Sequence, residues 1–418
     1  MNDLKGKRLL VLGGTLATYD VVKTAQRMGA YVIVTDYLEN GVTKNIADET
    51  LMISTKSIEE LNKAVHEYRI DGVFTGASEF NIRNMIQLCE KAKLPVYANL
   101  AQWDMLSNKR KFKEICRQYG VPTVPEYLIQ AKDEKENLKF PVIVKPVDSY
   151  SGHGISICRN IIDLEKAIVE AEKWSKSGQF IIEKYIQGEN IEVYYLVQDG
   201  NIMLLSASDR YTNKEQHGSP VPTAFYHPSK YIDKYLSDVH PKVCKMFQGL
   251  GIKNGVFFME SFLENEKFIF YEMGFRLNAT MEYHFVEHFK GFNPLEMMIR
   301  YALTGNMGKS VLLLNERNFN GVGCEIALIV RPGTIKAIEG IEKINKLPYV
   351  IHIIQYYVVG ETITTTGSLD QNFARIKVVA DNKEELENRV CYIYENVSVI
   401  DNNGNEMLIK EGAGKKYE

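Results

Sequence analysis

The sequence predicts a multidomain protein in which an α/β amino-terminal part precedes α+β modules, and three observations predict it. Residues 1–105 alternate strand-like and helix-like stretches, the middle of the chain carries strands joined by short turns, and the chain turns β-rich from about residue 320. A length of 418 residues is too great for one ordinary core and suits two to four packed modules.

Taken in order, RLLVLGG (8–14) reads as a buried strand and turn, and residues 18–28 place apolar side chains at helical spacing. YVIVTDY (31–37), GVFTG (72–76) and PVYA (95–98) read as further strands, with a helix over 79–92 between the last two. Strands separated by helices imply a parallel, doubly wound layer. Its first turn, GGTLATY, invites a dinucleotide reading because Asp36 ends the second strand. The GxGxxG fingerprint is missing, so a scaffold or acceptor-binding role is the better expectation. Residues 109–119 form a basic amphipathic helix closed by Gly120 and Pro122. The strand FPVIVKPV (140–147), the loop DSYSGHG (148–154), the strand ISICR, a helix over 161–176 and the strand FIIEKYI (180–186) follow. ENIEVYYLVQDGNIMLLSAS is a hairpin turning at Asp199-Gly200, and the polar stretch 209–230 reads as a long functional loop. A helix over 231–250 leads to the paired strands GVFFMESFL and KFIFYEM, and residues 293–304 are helical. CEIALIVRPG, VIHIIQYYVVG and FARIKVVA with a helix at 383–394 make a β-rich closing module.

Hydrophobic residues at 45%, charged residues at 25% and a net charge of −3 exclude a disordered chain and make a nucleic-acid partner unexpected. Six scattered cysteines (89, 116, 158, 244, 324, 391) without CxxC pairs fit a reducing compartment and no zinc ribbon. The first apolar run is short and ends in glycines, so it reads as a strand and not a signal peptide, and no segment reaches the ~18 apolar residues of a membrane span. The expected location is the cytoplasm.

The chemistry concentrates in a few places. Lys145 sits in the apolar run VIVKP, and a buried ammonium requires an anion. Ser149, Ser151, Gly152 and Gly154 follow directly; glycines let backbone N–H groups approach phosphate oxygens, and serines add donors. Read from these residues alone, an edge lysine before an ordinary turn fits equally well. Glu260 in VFFMESF and Glu272 in FIFYEMG lie on strands joined by a short turn, so antiparallel pairing could bring both carboxylates to one face. Like charges there call for a cation, and oxygen ligands suit Mg2+. HFVEH (284–288) matches an H-x-x-E-H zinc spacing through His284, Glu287 and His288, without an evident third ligand; histidines lining an acceptor pocket or lying at the surface are the plainer account. Lys214, His217 and His227 in the polar loop read as solvated residues that could touch an acceptor.

In combination these features resemble the ATP-grasp superfamily, in particular its carbamoyl-phosphate-synthetase-like, biotin-carboxylase-like and amino-acid-ligase members. The resemblance spans the whole chain: a Rossmann-like pre-grasp domain (1–105), a grasp domain (106–310) with a lid lobe at about 121–187 and a large lobe at about 188–310, and a β-rich module (311–418). It implies that Lys109 and Lys145 reach the nucleotide phosphates, that the loop Ser149–Gly154 closes over them, and that Glu183 accepts from the adenine amino group. It further implies that the backbones of Lys184 and Ile186 read the adenine edge, that Asn190 or Glu192 meets the ribose, that Glu260 and Glu272 hold the metal, and that Arg276 steadies the transferring phosphate. Two positions depart from the family pattern: Asn190 replaces a glutamate, and Gly274 replaces the asparagine of Glu-x-Asn-x-Arg, leaving a coordination place for water or, should the backbone turn back, Asn278. The implied activity is an ATP- and Mg2+-dependent (or Mn2+-dependent), ADP-forming ligase joining a small carboxylate to an amine-type acceptor through an acyl phosphate, with a homodimer as the expected assembly. The alternatives are an ATP-binding protein of this fold without catalysis and, more distantly, a zinc metallopeptidase built on HFVEH.

Overall fold

The structure is a computed structural model and describes residues 3–127, 138–149, 153–212, 221–311, 319–366 and 369–410. The chain opens with β1 (Arg8–Leu12), α1 (Tyr19–Arg27), β2 (Tyr31–Thr35), β3 (Glu49–Leu51), α2 (Ile58–Glu67), β4 (Gly72–Phe74) and α3 (Glu79–Ala92). Its four strands form a parallel sheet in the order β3-β2-β1-β4. Continuous apolar runs such as RLLVL are what a sheet covered on both faces needs, and Leu9 to Leu12 are buried. Residues 95–98 do not form the strand expected there, and the unexpected β3 supplies the fourth strand instead. Tyr97 instead packs edge-on against Phe275 and donates its hydroxyl to the Phe275 carbonyl, so tertiary contact overrides strand propensity.

Asp36 closes the first turn. Its Oδ2 accepts from the Gly14 N–H at 2.7 Å and its Oδ1 from the Leu38 N–H at 2.9 Å. The carboxylate that would bind a ribose in a dinucleotide site is therefore committed to the fold.

Two helices, α4 (Leu100–Leu106) and α5 (Lys109–Gln118), lead onward. The Asn108 side chain accepts from the N–H groups of Arg110 and Lys111, a cap worth about 1 kcal/mol that fixes where α5 starts and hence where Lys109 points. A lid follows, made of β5 (Val142–Pro146), β6 (Ser156–Cys158), α6 (Ile161–Trp174) and β7 (Phe180–Lys184), with sheet order β6-β5-β7.

The remaining large lobe is built on β8 (Glu189–Gln198), β9 (Asn201–Thr212), β10 (Pro222–His227), α7 (Ile232–Asp238), α8 (His240–Gly249), β11 (Gly255–Glu264), β12 (Lys267–Gly274), α9 (Tyr283–Lys290) and α10 (Pro294–Thr304). The polar stretch 209–230 is thus no simple loop: β9 runs to Thr212 and β10 occupies Pro222–His227. Likewise 231–250 holds two helices, broken at Val239 ahead of the proline in α8.

The closing elements are β13 (Val322–Ile329), β14 (Gly333–Glu339), α11 (Ile341–Ile344), β15 (Val350–Gln355), β16 (Thr362–Ile363), β17 (Asn372–Ala380), α12 (Lys383–Asn396) and β18 (Ser398–Asp401). They do not make a separate sheet throughout. β10 pairs antiparallel with β13, so one eight-stranded sheet runs β12-β11-β8-β9-β10-β13-β17-β15 across the boundary expected near residue 311. No helix among the described residues is long and apolar enough to cross a membrane.

Candidate active site

The site is assembled on one edge of the large sheet. Glu260 pairs in register with Glu272 on one side and with Glu192 on the other, so three carboxylates stand in a row across β8, β11 and β12. Antiparallel register brings such side chains to one face. The row is electrostatically graded. Burial, then the charges of Glu260 and Glu282, push the Glu192 carboxyl well above the usual range. Glu272 also resists ionisation through burial, but Lys109, Lys145, Arg276 and Arg210 outweigh this and hold it below the usual value. The inner end of the row favours the proton and the outer end the anion.

Cations surround the row. Lys109, buried at the start of α5, lies 3.5 Å from Glu272 Oε1 and donates to the Ser149 carbonyl. Lys145 on β5 sits 5.3 Å above the Tyr271 ring. Arg210, absent from the sequence expectations, donates from Nη1 to Glu260 Oε2 at 2.8 Å and to the Tyr271 hydroxyl at 3.1 Å. Arg276 reaches across to the amino-terminal domain, donating to Glu79 Oε1 at 3.0 Å, and its guanidinium lies 4.9 Å from the Phe258 ring centroid. The Nε atoms of Arg210 and Arg276 are buried without a hydrogen-bond partner among the described residues. Buried donors of this kind need an acceptor, and a phosphate oxygen is one.

Glu183 is wholly buried on β7 between two lysines, Lys145 at 2.9 Å and Lys113 in close contact. Burial and then repulsion from Lys145 push the Lys113 ammonium down, since two cations share one carboxylate. Sequence reasoning missed Lys113, one lysine of several in KRKFKEICRQ. Lys184 spends its N–H on the Pro125 carbonyl and its ammonium on Glu264. Ile186 joins Val124 and Tyr271 in a small apolar cluster with Phe262 and Ile269.

The Asn190 amide donates to the Tyr271 hydroxyl at 3.1 Å. Glu192, for which the sequence suggests a ribose contact, is buried in the carboxylate row and accepts from Asn278 Nδ2 at 2.8 Å. Asn278 therefore does turn back, toward Glu192. Ser149 donates to the His153 carbonyl, and Gly154 has φ +72°, with Pro146 and Trp174 where a Cβ would be. Ser151, Gly152, Lys214 and His217 lie outside the described residues.

Gly274 does not leave an open coordination place. It faces Phe258 across the β11–β12 pair, and a Cβ there would collide with the Phe258 ring. The ring that excludes a side chain at 274 is the one that supports the Arg276 guanidinium.

The HFVEH pattern does not assemble as a zinc unit. Glu287 accepts from Asn293, and His288 packs edge-on against Phe289. His284 turns toward Asp20 and His352 instead. Burial, ahead of the attraction of Asp20, pushes the His284 imidazole down to about 4. His227, expected as a solvated loop residue, is buried on β10 and lies 3.3 Å from Glu282.

The profile of the ATP-grasp domain family matches residues 138–281, which hold the lid and the carboxylate row. Formate-dependent phosphoribosylglycinamide formyltransferase of Prochlorococcus marinus is 25% identical over 284 residues, 66% of this chain and 70% of that protein. The L-amino acid ligase of Bacillus licheniformis superposes with a TM-score of 0.79 at 18% identity, covering 96% of this chain and 100% of that one. The biotin carboxylase domain dimer of Hydrogenobacter thermophilus 2-oxoglutarate carboxylase, solved with MgADP and bicarbonate, gives 0.74 at 21% identity and covers 96% and 91%. The matched domain and the shared fold, with the lysines and the graded carboxylate row inside them, lead to one conclusion: residues 138–281 of this chain match the ATP-grasp domain family.

Proposed function

We propose that this chain is an ATP- and Mg2+-dependent, ADP-forming ligase that joins a small carboxylate to an amine-type acceptor. The observation that carries the reading is the register of Glu192, Glu260 and Glu272 with Lys109, Lys145, Arg210 and Arg276 packed around it.

The residues fit the group they would hold. Glu260 and Glu272 offer oxygen ligands at the ionised end of the row, a donor set suited to Mg2+ or Mn2+. Bound magnesium and nucleotide supply charge neutralisation and the phosphoryl group that activates the carboxylate. Lys109 and Lys145 would hold phosphate oxygens, and Arg276, braced by Glu79 and Phe258, would steady the phosphate as it transfers. Glu183, Lys184, Ile186 and Asn190 would receive adenine and ribose. Glu183 already holds one lysine on each oxygen, and each oxygen keeps a second lone pair for an adenine donor. In a complex so held, the substrate carboxylate would take the γ-phosphoryl group as ADP leaves, and the amine would displace phosphate at the acyl carbon and lose a proton to solvent. The loop Ser149–Gly154 would keep water from the acyl phosphate.

An acceptor pocket beside the row is supported by buried polar atoms without hydrogen-bond partners among the described residues, Tyr194 Oη and Thr280 Oγ1 among them. A homodimer in a reducing cytoplasm completes the proposal; among the described residues all six cysteines are free.

A screen for ADP release against amino acids and small carboxylic acids, singly and in pairs, tests the reading. A productive pair should appear and Glu272→Ala should abolish its turnover. Undiminished product formation by Glu272→Ala, or ATP binding with no acceptor that stimulates ADP release, would overturn it.

A further inference from the structure

A second constellation lies away from the carboxylate row, where three parts of the chain meet. Asp20 stands in the first turn of α1, His284 in the first turn of α9, and His352 on β15. His284 Nε2 lies 2.8 Å and His352 Nε2 3.4 Å from the same oxygen, Asp20 Oδ2. The two imidazole rings stack with centroids 3.9 Å apart and planes 24° apart. The Tyr283 hydroxyl donates to that same oxygen at 2.9 Å.

We propose that Asp20, His284 and His352 form a binding site for one divalent transition-metal ion of the zinc class, distinct from the magnesium site of the nucleotide. Three groups crowd one carboxylate oxygen, although a carboxylate has two oxygens to share among donors. A cation at the point of convergence relieves this crowding, because both ring nitrogens and the carboxylate then act as ligands. The spacing suits it. Three atoms bound tetrahedrally at about 2.0–2.1 Å from one zinc ion lie about 3.3 Å apart. The three ligand atoms all lie within 4.8 Å of one another, and rotations that part the stacked rings would bring them to that geometry.

Donor chemistry separates the two sites. Glu192, Glu260 and Glu272 offer only oxygen, whereas two imidazoles and one carboxylate suit zinc, cobalt or nickel. The side chains of Asp20, His284 and His352 are 19%, 19% and 17% exposed, so an ion can enter from solvent. Three protein ligands leave a fourth position open. Tyr283 then becomes an outer partner that orients the Asp20 carboxylate. Neither Glu287 nor His288 contributes, so the ligand set is not the one HFVEH suggests.

The test uses the full-length chain without an affinity tag, stripped of metal by a chelator. Zn2+ is titrated in competition with a chromophoric chelator, and Co2+ is added separately to read its visible absorption. The expected result is one equivalent of zinc per chain and an intensified cobalt band. His284→Ala or His352→Ala should weaken zinc binding by more than about a hundredfold, and Tyr283→Phe by about tenfold. His288→Ala should bind as the unaltered chain does. No stoichiometric zinc in the unaltered chain, or equal affinity in His352→Ala, overturns the proposal. The cobalt spectrum of the unaltered chain keeps the test valid should a variant fail to fold.

Discussion

Phe258 and Gly274 face one another across β11 and β12, and the ring that fills the space above the glycine also carries the Arg276 guanidinium. A side chain at 274 must displace the ring. Overpacking a filled site costs about 1–3 kcal/mol, so Gly274→Ala should lower the unfolding free energy by an amount in that range, seen as a lower denaturant midpoint at unchanged m. Adding Phe258→Ala should recover part of the loss. An unchanged midpoint for Gly274→Ala would show that the ring moves aside without cost.

Arg276 owes its direction to Glu79, the first residue of α3 in the amino-terminal domain. Glu79→Gln keeps the shape and removes the charge. We expect kcat to fall about tenfold or more, because positioning errors near a transferring group are costly. The KM for ATP should move far less, since Glu79 contacts neither Lys109 nor Lys145 in the hydrogen-bond and ion-pair network. Equal changes in both constants would argue against a positioning role.

Glu325 lies buried on β13 between Arg375 and Lys377. Burial pushes its carboxyl up, but the two cations outweigh burial and hold it below 4.5. A carboxyl depressed by folding stabilises the fold above its unfolded value, and that stabilisation is lost as pH falls through the folded value. Glu325→Gln should therefore cost about 3–5 kcal/mol at pH 7, as for other broken buried pairs. The gap from the unaltered chain should narrow below about pH 4.5. Urea unfolding at pH 7 and at successive acid steps reads this, and a gap that does not shrink would refute it.

Much of the site was legible because local rules place it. Lys109 follows a helix cap, Lys145 sits alone in an apolar strand, and a short turn brings Glu260 opposite Glu272. Asp20, His284 and His352 were not legible as a group, since only tertiary packing brings α1, α9 and β15 together. Arg210 was hidden for a different reason. Its strand carries charge where β9 leaves the core and enters the cleft, so the sequence resembles the start of a loop. PVYA misled in the opposite sense: β-prone residues there serve contact with Phe275 and not a ladder.

The shared eight-stranded sheet has a mechanical consequence. Strands carrying Glu192, Glu260, Arg210, Glu325 and Arg375 belong to one eight-stranded sheet, while Lys145 and Glu183 belong to the separate three-stranded sheet. Bending the chain near residue 311 would require separating β10 from β13, so the sheet ties the large lobe to the closing elements, while the lid strands are not part of it.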